Sequence, residues 1–348
     1  MLKRIEAIIS GSGEVTTREA ILADLNDGEV RIKVHTSLIS PGTEMAGVKD
    51  KRANPNTDKD PVVFGYANAG EVIEVTGDCK GIELGMRVAA MGGRANHANY
   101  ANVPVNLVVP IPDSVTYAQA SYACLGATAL QAVRRTSPQL GEYGLVLGLG
   151  IVGNLVSQLL QISGARVLGW ESLPARIKMA QACNINQSVN FMKENAVEAS
   201  QTFAAPYGND LAVFAFGGNA TKAFNNVKDC MKKAPDTHQM GRIVLVGGCT
   251  VELRGGASSG NLDIRAASRT GAGYHDKKYE YGKDYPNAFV QFTTQRNLRE
   301  IIQLMLEKRL VVDPMTTHRF PLEEVGKATD LLINEPDTAM GCILDMSH

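Results

Sequence analysis

The stretch from Gly141 to Glu171, GEYGLVLGLGIVGNLVSQLLQISGARVLGWE, limits what this chain can fold into more than any other. Leu145, Val146 and Leu147 form a short apolar run, read as a strand, that leads into Gly148, Gly150 and Gly153 at the spacing G-x-G-x-x-G. Each glycine has its own task. Gly148 permits a tight turn, Gly150 lets the backbone approach a pyrophosphate, and Gly153 lets the following helix pack close to its strand. The pattern predicts that helix over roughly Asn154 to Ser163, with its free N-terminal amides aimed at phosphate and with Ile151 and Val152 among the cofactor contacts. Gly164 ends it, Arg166 to Trp170 forms a second strand, and Glu171 sits at that strand's C-terminal end.

A carboxylate there accepts hydrogen bonds from the ribose hydroxyls and repels a 2′-phosphate, so NAD(H) is expected in preference to NADP(H). Arg176 can stack on adenine, or support a phosphate if Glu171 swings aside. The alternative is an apolar strand-helix-strand unit that uses its glycines for close packing alone.

With 348 residues, 44% hydrophobic and 20% charged, the chain is long enough for two globular domains. A formal net charge of −1 gives no electrostatic reason for a nucleic acid or an anionic membrane as partner. The six cysteines, Cys79, Cys124, Cys183, Cys230, Cys249 and Cys342, include no C-x-x-C pair, which suits a reduced, cytoplasmic protein. The apolar run at the N-terminus breaks too early for a signal peptide, and no stretch approaches the roughly 20 apolar residues of a membrane span.

Up to about residue 114, short alternating segments such as Glu29 to His35 and Gly70 to Val75, separated by glycine and proline turns, predict a compact β domain. Tyr117 to Arg134 reads as helices interrupted at Gly126. Strands and helices then alternate, which implies a doubly wound parallel sheet with later strands over Leu211 to Phe216, Arg242 to Val246 and Leu262 to Ala266. Gly217-Gly218 and Gly247-Gly248 follow the first two of these, where a cofactor would cross the sheet edge; Gly217, Gly247 and Gly248 are therefore expected cofactor contacts. A polar, tyrosine-rich segment follows residue 271, Arg296 to Lys308 reads as an amphipathic helix, and the chain ends in a strand, a turn through Pro321 and a last helix.

The motifs ISPGTE (Ile39 to Glu44), GYANAGEV (Gly65 to Val72), RVAAMGG (Arg87 to Gly93), CLGATA (Cys124 to Ala129), GLGIVG, GRIVLVGG and THRFPLEEVGKA resemble the medium-chain dehydrogenase/reductase superfamily across essentially the whole chain. The Pro-Gly-Thr-Glu and Gly-Tyr-x-x-x-Gly versions are similar to a branch that includes bacteriochlorophyllide dehydrogenase-like and sugar-linked oxidoreductases. The resemblance implies an α/β protein: a doubly wound Rossmann domain over residues 136–270, and a mainly β GroES-like catalytic domain over 1–135 that the chain re-enters at 271–348. It also implies a homodimer or larger assembly, joined through the last strand of the nucleotide sheet.

Zinc-dependent members of this superfamily polarise the substrate oxygen with a metal held by a Cys, a His from a Gly-His-Glu motif, and a Cys or acid near the nucleotide domain. Here the matching positions hold Pro41 and Tyr66, with Ala67 in place of the acid, and only Cys124 matches. Three protein ligands cannot be assembled from these, so no zinc is expected unless Glu44, His97 or His275 converge from elsewhere. A side chain must then supply the proton at the substrate oxygen. Tyr66 is the leading candidate, with a positive group such as His97 or Lys33, or the nicotinamide charge, needed to lower its pKa; otherwise it is a pocket wall. Ser40, Thr43 and Glu44 lie on the loop that lines the cleft in relatives, although Glu44 could instead hold an arginine. His97 is a candidate acid or relay, or a satisfied histidine without a role. Asn68, Tyr274 and His275 are candidate substrate contacts, Cys124 is a pocket residue or an apolar filler, and Thr128 touches the nicotinamide by resemblance.

The expected function is zinc-independent hydride transfer between NAD(H) and a secondary alcohol or ketone of a polyol, sugar or cyclitol. The alternatives are reduction of an activated carbon-carbon double bond and nucleotide binding without turnover.

Overall fold

The computed structural model describes residues 3–185 and 187–346. Two compact units emerge: residues up to Ala127 together with those from Thr270 onward form one, and Thr128–Arg269 forms the other. The first division falls inside the helix Ala123–Thr136, ahead of the 135/136 boundary expected from sequence. The start of that helix packs with the β unit, so contacts rather than the helix end set the boundary. Gly126 lies within the helix and does not interrupt it. A Cβ there would come within 2.7 Å of Ile301 Cγ2, so this glycine serves close packing.

The β unit is built on the strand Glu29–Leu38. It pairs antiparallel with Ala67–Val75, Tyr100–Pro104 and Gly341–Asp345, a seven-stranded sheet that also includes Arg87–Met91, Val108–Pro110 and Thr316–Pro321. Its alternation explains this: Val30, Ile32 and Val34 are fully buried on one face. A second sheet joins Val15–Ile21, Lys3–Ile9 and Val62–Val63. The closing strand Gly341–Asp345 was not expected from sequence; it runs parallel to Thr316–Pro321, beyond the helix Val325–Asn334.

One segment read as a loop is helical. Thr43 and Glu44 open a helix, Thr43–Ala53, with Gly42 before it and Glu44 placed where the helix dipole favours a negative charge. The tyrosine-rich segment contains the helix Lys277–Glu280, capped by the Asp276 side chain, and Tyr281 Oη donates to the fully buried Glu29 at 3.0 Å.

The second unit is a six-stranded parallel sheet in the order Ser188–Asn190, Arg166–Glu171, Tyr143–Leu147, Leu211–Phe214, Met240–Leu245, Asn261–Ala266. The central strands are apolar because helices cover both faces: Leu145, Val146, Leu211 and Val213 are fully buried. The order reverses around Tyr143–Leu147, which opens a crevice at the carboxyl ends of the strands. The helix after the glycines spans Ile151–Ile162 and starts earlier than expected. Gly150 is its extended N-cap, so Ile151 and Val152 are already helical. Among the described residues no helix is long and apolar enough to cross a membrane.

Candidate functional site

In the parallel-sheet unit the glycines act as their spacing implies. Gly148 has φ +86°, which only glycine adopts without strain, and a Cβ on Gly153 would sit 1.8 Å from Gly148 O. Around Gly150 the space is open, the nearest atom to a Cβ being Arg176 Nη1 at 3.9 Å, so the backbone can approach a ligand. At Gly247 a Cβ would meet Phe216 O at 2.1 Å, so this glycine also serves chain packing. Gly217 and Gly248 face open or loosely packed space.

Glu171 is buried, and its two oxygens differ. Oε1 accepts from Ser172 N, Ser172 Oγ and Leu173 N, while Oε2 accepts from Leu149 N at 2.8 Å. Only Oε2 keeps clear capacity for another donor, and it faces the Arg176 guanidinium at 3.9 Å. A cavity of about 610 Å³ opens here, lined in part by Gly148, Glu171, Arg176, Phe216 and Lys222. Phe191 and Met192, exposed and apolar, form another wall; sequence reasoning missed them because they follow a three-residue strand with little periodicity. A dinucleotide suits these groups: a helix N-terminus for phosphate, an acceptor for ribose, and apolar walls for a base. Thr128 lies on the helix Ala123–Thr136.

In the β unit, several residues singled out in the sequence meet in one buried polar cluster. Glu44 Oε2 accepts from Ser40 N at 2.6 Å, and Glu44 Oε1 lies 3.2 Å from His97 Nε2. Glu44 therefore faces a histidine, and among the described residues no arginine pairs with it. His97 is fully buried, with Phe64 edge-on at 5.3 Å between ring centroids. Gly65 makes room for it: φ is +104°, and a Cβ would fall 2.3 Å from His97 N.

Tyr66 is half-buried beside the side chains of Ser40 and Thr43. Burial, then the charges of Glu44 and Cys124, push its pKa well above the usual phenol value, against the lowering effect of Ser40 and Thr43. Neither His97 nor Lys33 is among these causes, and Tyr66 stays a neutral hydrogen-bond donor. Burial, reinforced by Glu44, likewise raises Cys124, which remains a protonated thiol at neutral pH.

Asn68 is buried and donates to Asn96 O at 3.0 Å, and among the described residues its Oδ1 has no hydrogen-bond partner. The Tyr274 ring lies 3.9 Å from that of the exposed His275, tilted by 34°, and packs over Gly92, whose N–H donates to Tyr66 O at 2.9 Å. The His275 backbone N–H is taken by Glu280. Ser37, which hydrogen-bonds His97 Nδ1, was missed in the sequence, because a lone serine inside a strand gives no local sign of a partner 60 positions away.

The chain is similar in sequence to sorbitol dehydrogenase from Mus musculus, 24% identical over 358 residues, covering 94% of this chain and 92% of the relative. L-threonine 3-dehydrogenase from Proteus mirabilis is 24% identical over 337 residues, covering 89% and 90%. In fold the chain is similar to an Escherichia coli oxidoreductase/dehydrogenase of unknown specificity, with a TM-score of 0.81, 18% identity and full coverage of both chains. Galactitol-1-phosphate dehydrogenase from the same species gives a TM-score of 0.77 at 14% identity, covering 99% and 100%. No protein-family model matches the chain. In sequence and in fold the chain is thus similar to alcohol and polyol dehydrogenases.

Proposed function

We propose that this protein is a zinc-independent, NAD(H)-preferring oxidoreductase that interconverts a secondary alcohol and ketone of a polyol, sugar or cyclitol. The observation that carries the reading is the open glycine turn beside Glu171 Oε2 at the mouth of the 610 Å³ cavity. Gly148, Gly150, Gly153 and the N-terminus of Ile151–Ile162 would hold the pyrophosphate, Glu171 the ribose, and Arg176 the face of the base. When bound, NAD(H) supplies or accepts the hydride. The chain's own residues handle the oxygen: Tyr66 donates a hydrogen bond to it, while Ser40, Thr43, Asn68, Tyr274 and His275 supply polar contacts for a hydroxyl-rich ligand. Sorbitol and threonine, named in the relatives, both carry secondary hydroxyls, which supports the substrate class.

Pro41 and Tyr66 at two metal positions support chemistry without zinc. A reduced, cytoplasmic setting agrees with six free cysteines. The edge strand Asn261–Ala266 supports pairing into a homodimer or larger assembly.

The test is turnover of NADH and NADPH with a panel of polyhydroxy ketones and enones, beside fluorescence titration of both cofactors. NADH should bind about 10-fold more tightly than NADPH, and Glu171→Ser should narrow the gap, because one carboxylate-phosphate repulsion is removed. Equal or tighter NADPH binding contradicts the role of Glu171. Turnover of enones alone would identify a double-bond reductase, and binding without turnover a nucleotide-binding protein.

A further inference from the structure

We propose that Glu44 and His97 share a single buried proton and that Ser37 is the positioning residue that fixes where it lies. Its catalytic consequence rests on the oxidoreductase reading; the proton's placement does not.

Hydrogen-bond accounting carries the placement. Ser37 Oγ is 2.7 Å from Ala67 O, and a carbonyl oxygen can only accept, so the one hydroxyl hydrogen of Ser37 points there. Ser37 also meets His97 Nδ1. With its hydrogen committed, Ser37 can only accept from that nitrogen, so Nδ1 carries a hydrogen. In a neutral ring Nε2 is then a bare acceptor, and it faces Glu44 Oε1 at 3.2 Å. Both atoms are buried, and neither has a hydrogen-bond partner elsewhere among the described residues.

Two acceptors left facing each other away from water are unfavourable, so one proton must lie on Nε2 or on Oε1. Either placement leaves the pair neutral overall, which is how a carboxyl and an imidazole can be buried together without a third charge. The Ser40 N–H on Oε2 fixes the carboxyl's orientation, and Gly65 and Phe64 fix the ring. The other titratable groups facing Glu44 are Tyr66 and Cys124, and both hold their own protons more tightly than usual because of burial. The Glu44–His97 proton is therefore the one available to the cluster.

Where that proton lies sets the charge on the Glu44 carboxylate, and Glu44 acts electrostatically on Tyr66, the hydrogen-bond donor of the oxidoreductase reading.

The experiment uses the full chain labelled with ¹⁵N-histidine, without cofactor, and reads both ring nitrogens of His97 by NMR. Assignment comes from His97→Gln, or by elimination with variants of the other five histidines if that variant fails to fold. The expected spectrum shows Nδ1 protonated and Nε2 shifted away from a bare nitrogen. A bare Nδ1, or a fully bare Nε2, overturns the shared proton. In Ser37→Ala the Nδ1 signal should move toward the bare position and kcat should fall on the order of 10-fold with cofactor KM unchanged, and Ser37→Thr should restore both. An altered spectrum with unchanged kcat overturns the catalytic consequence. Should the expected spectrum come from a protein that turns over no ketone or enone, the proton pair stands and the oxidoreductase reading fails.

Discussion

The hydroxyl of Tyr66 is the group whose loss should be felt most sharply. Tyr66→Phe keeps the ring and its packing but removes the proposed hydrogen-bond donor to the substrate oxygen. Turnover should drop on the order of 10²-fold, the lower end of what a positioned acid or oxyanion donor contributes, while NADH affinity stays within about twofold. Steady-state kinetics with fluorescence titration reads both. Near-normal turnover would reduce Tyr66 to a wall of the pocket. The sequence made Tyr66 visible because it stands where a ligand is expected, and it made Glu44 and His97 visible as chemistry-bearing types. Their mutual contact was not legible: it depends on Gly65 admitting the His97 ring and on the Thr43–Ala53 helix turning Glu44 inward, both of them long-range packing events.

At the scale of elements, the glycine turn and its helix show how closely a short motif can specify structure. Gly148, Gly150 and Gly153 impose their geometry through backbone contacts within a few residues, so the strand, turn and helix were readable from spacing alone. The closing strand Gly341–Asp345 was not, because its pairing with Glu29–Leu38 joins opposite ends of the chain. Gly153→Ala tests the motif's energetics. Alanine favours a helix over glycine by about 1 kcal/mol, but its Cβ would overlap Gly148 O, and overpacking typically costs about 1–3 kcal/mol. Urea unfolding should therefore show a net loss of stability, and NADH affinity should weaken with it. A more stable variant would mean that the turn can relax away from the helix.

At the scale of the molecule, the parallel sheet ends in Asn261–Ala266, whose outer edge carries backbone groups free to pair with a second copy. Light scattering should give a mass at least twice 37.3 kDa, and a monomer at working concentration would contradict pairing through this strand. In the proposed function the chain works on a secondary alcohol or ketone through side chains in place of a catalytic metal. The most direct measurement follows NADH-dependent ketone reduction by protein dialysed against a strong chelator, with elemental analysis of the same sample. Activity that persists with no stoichiometric zinc is the expected result. Activity that disappears on chelation and returns with one zinc per subunit would contradict it.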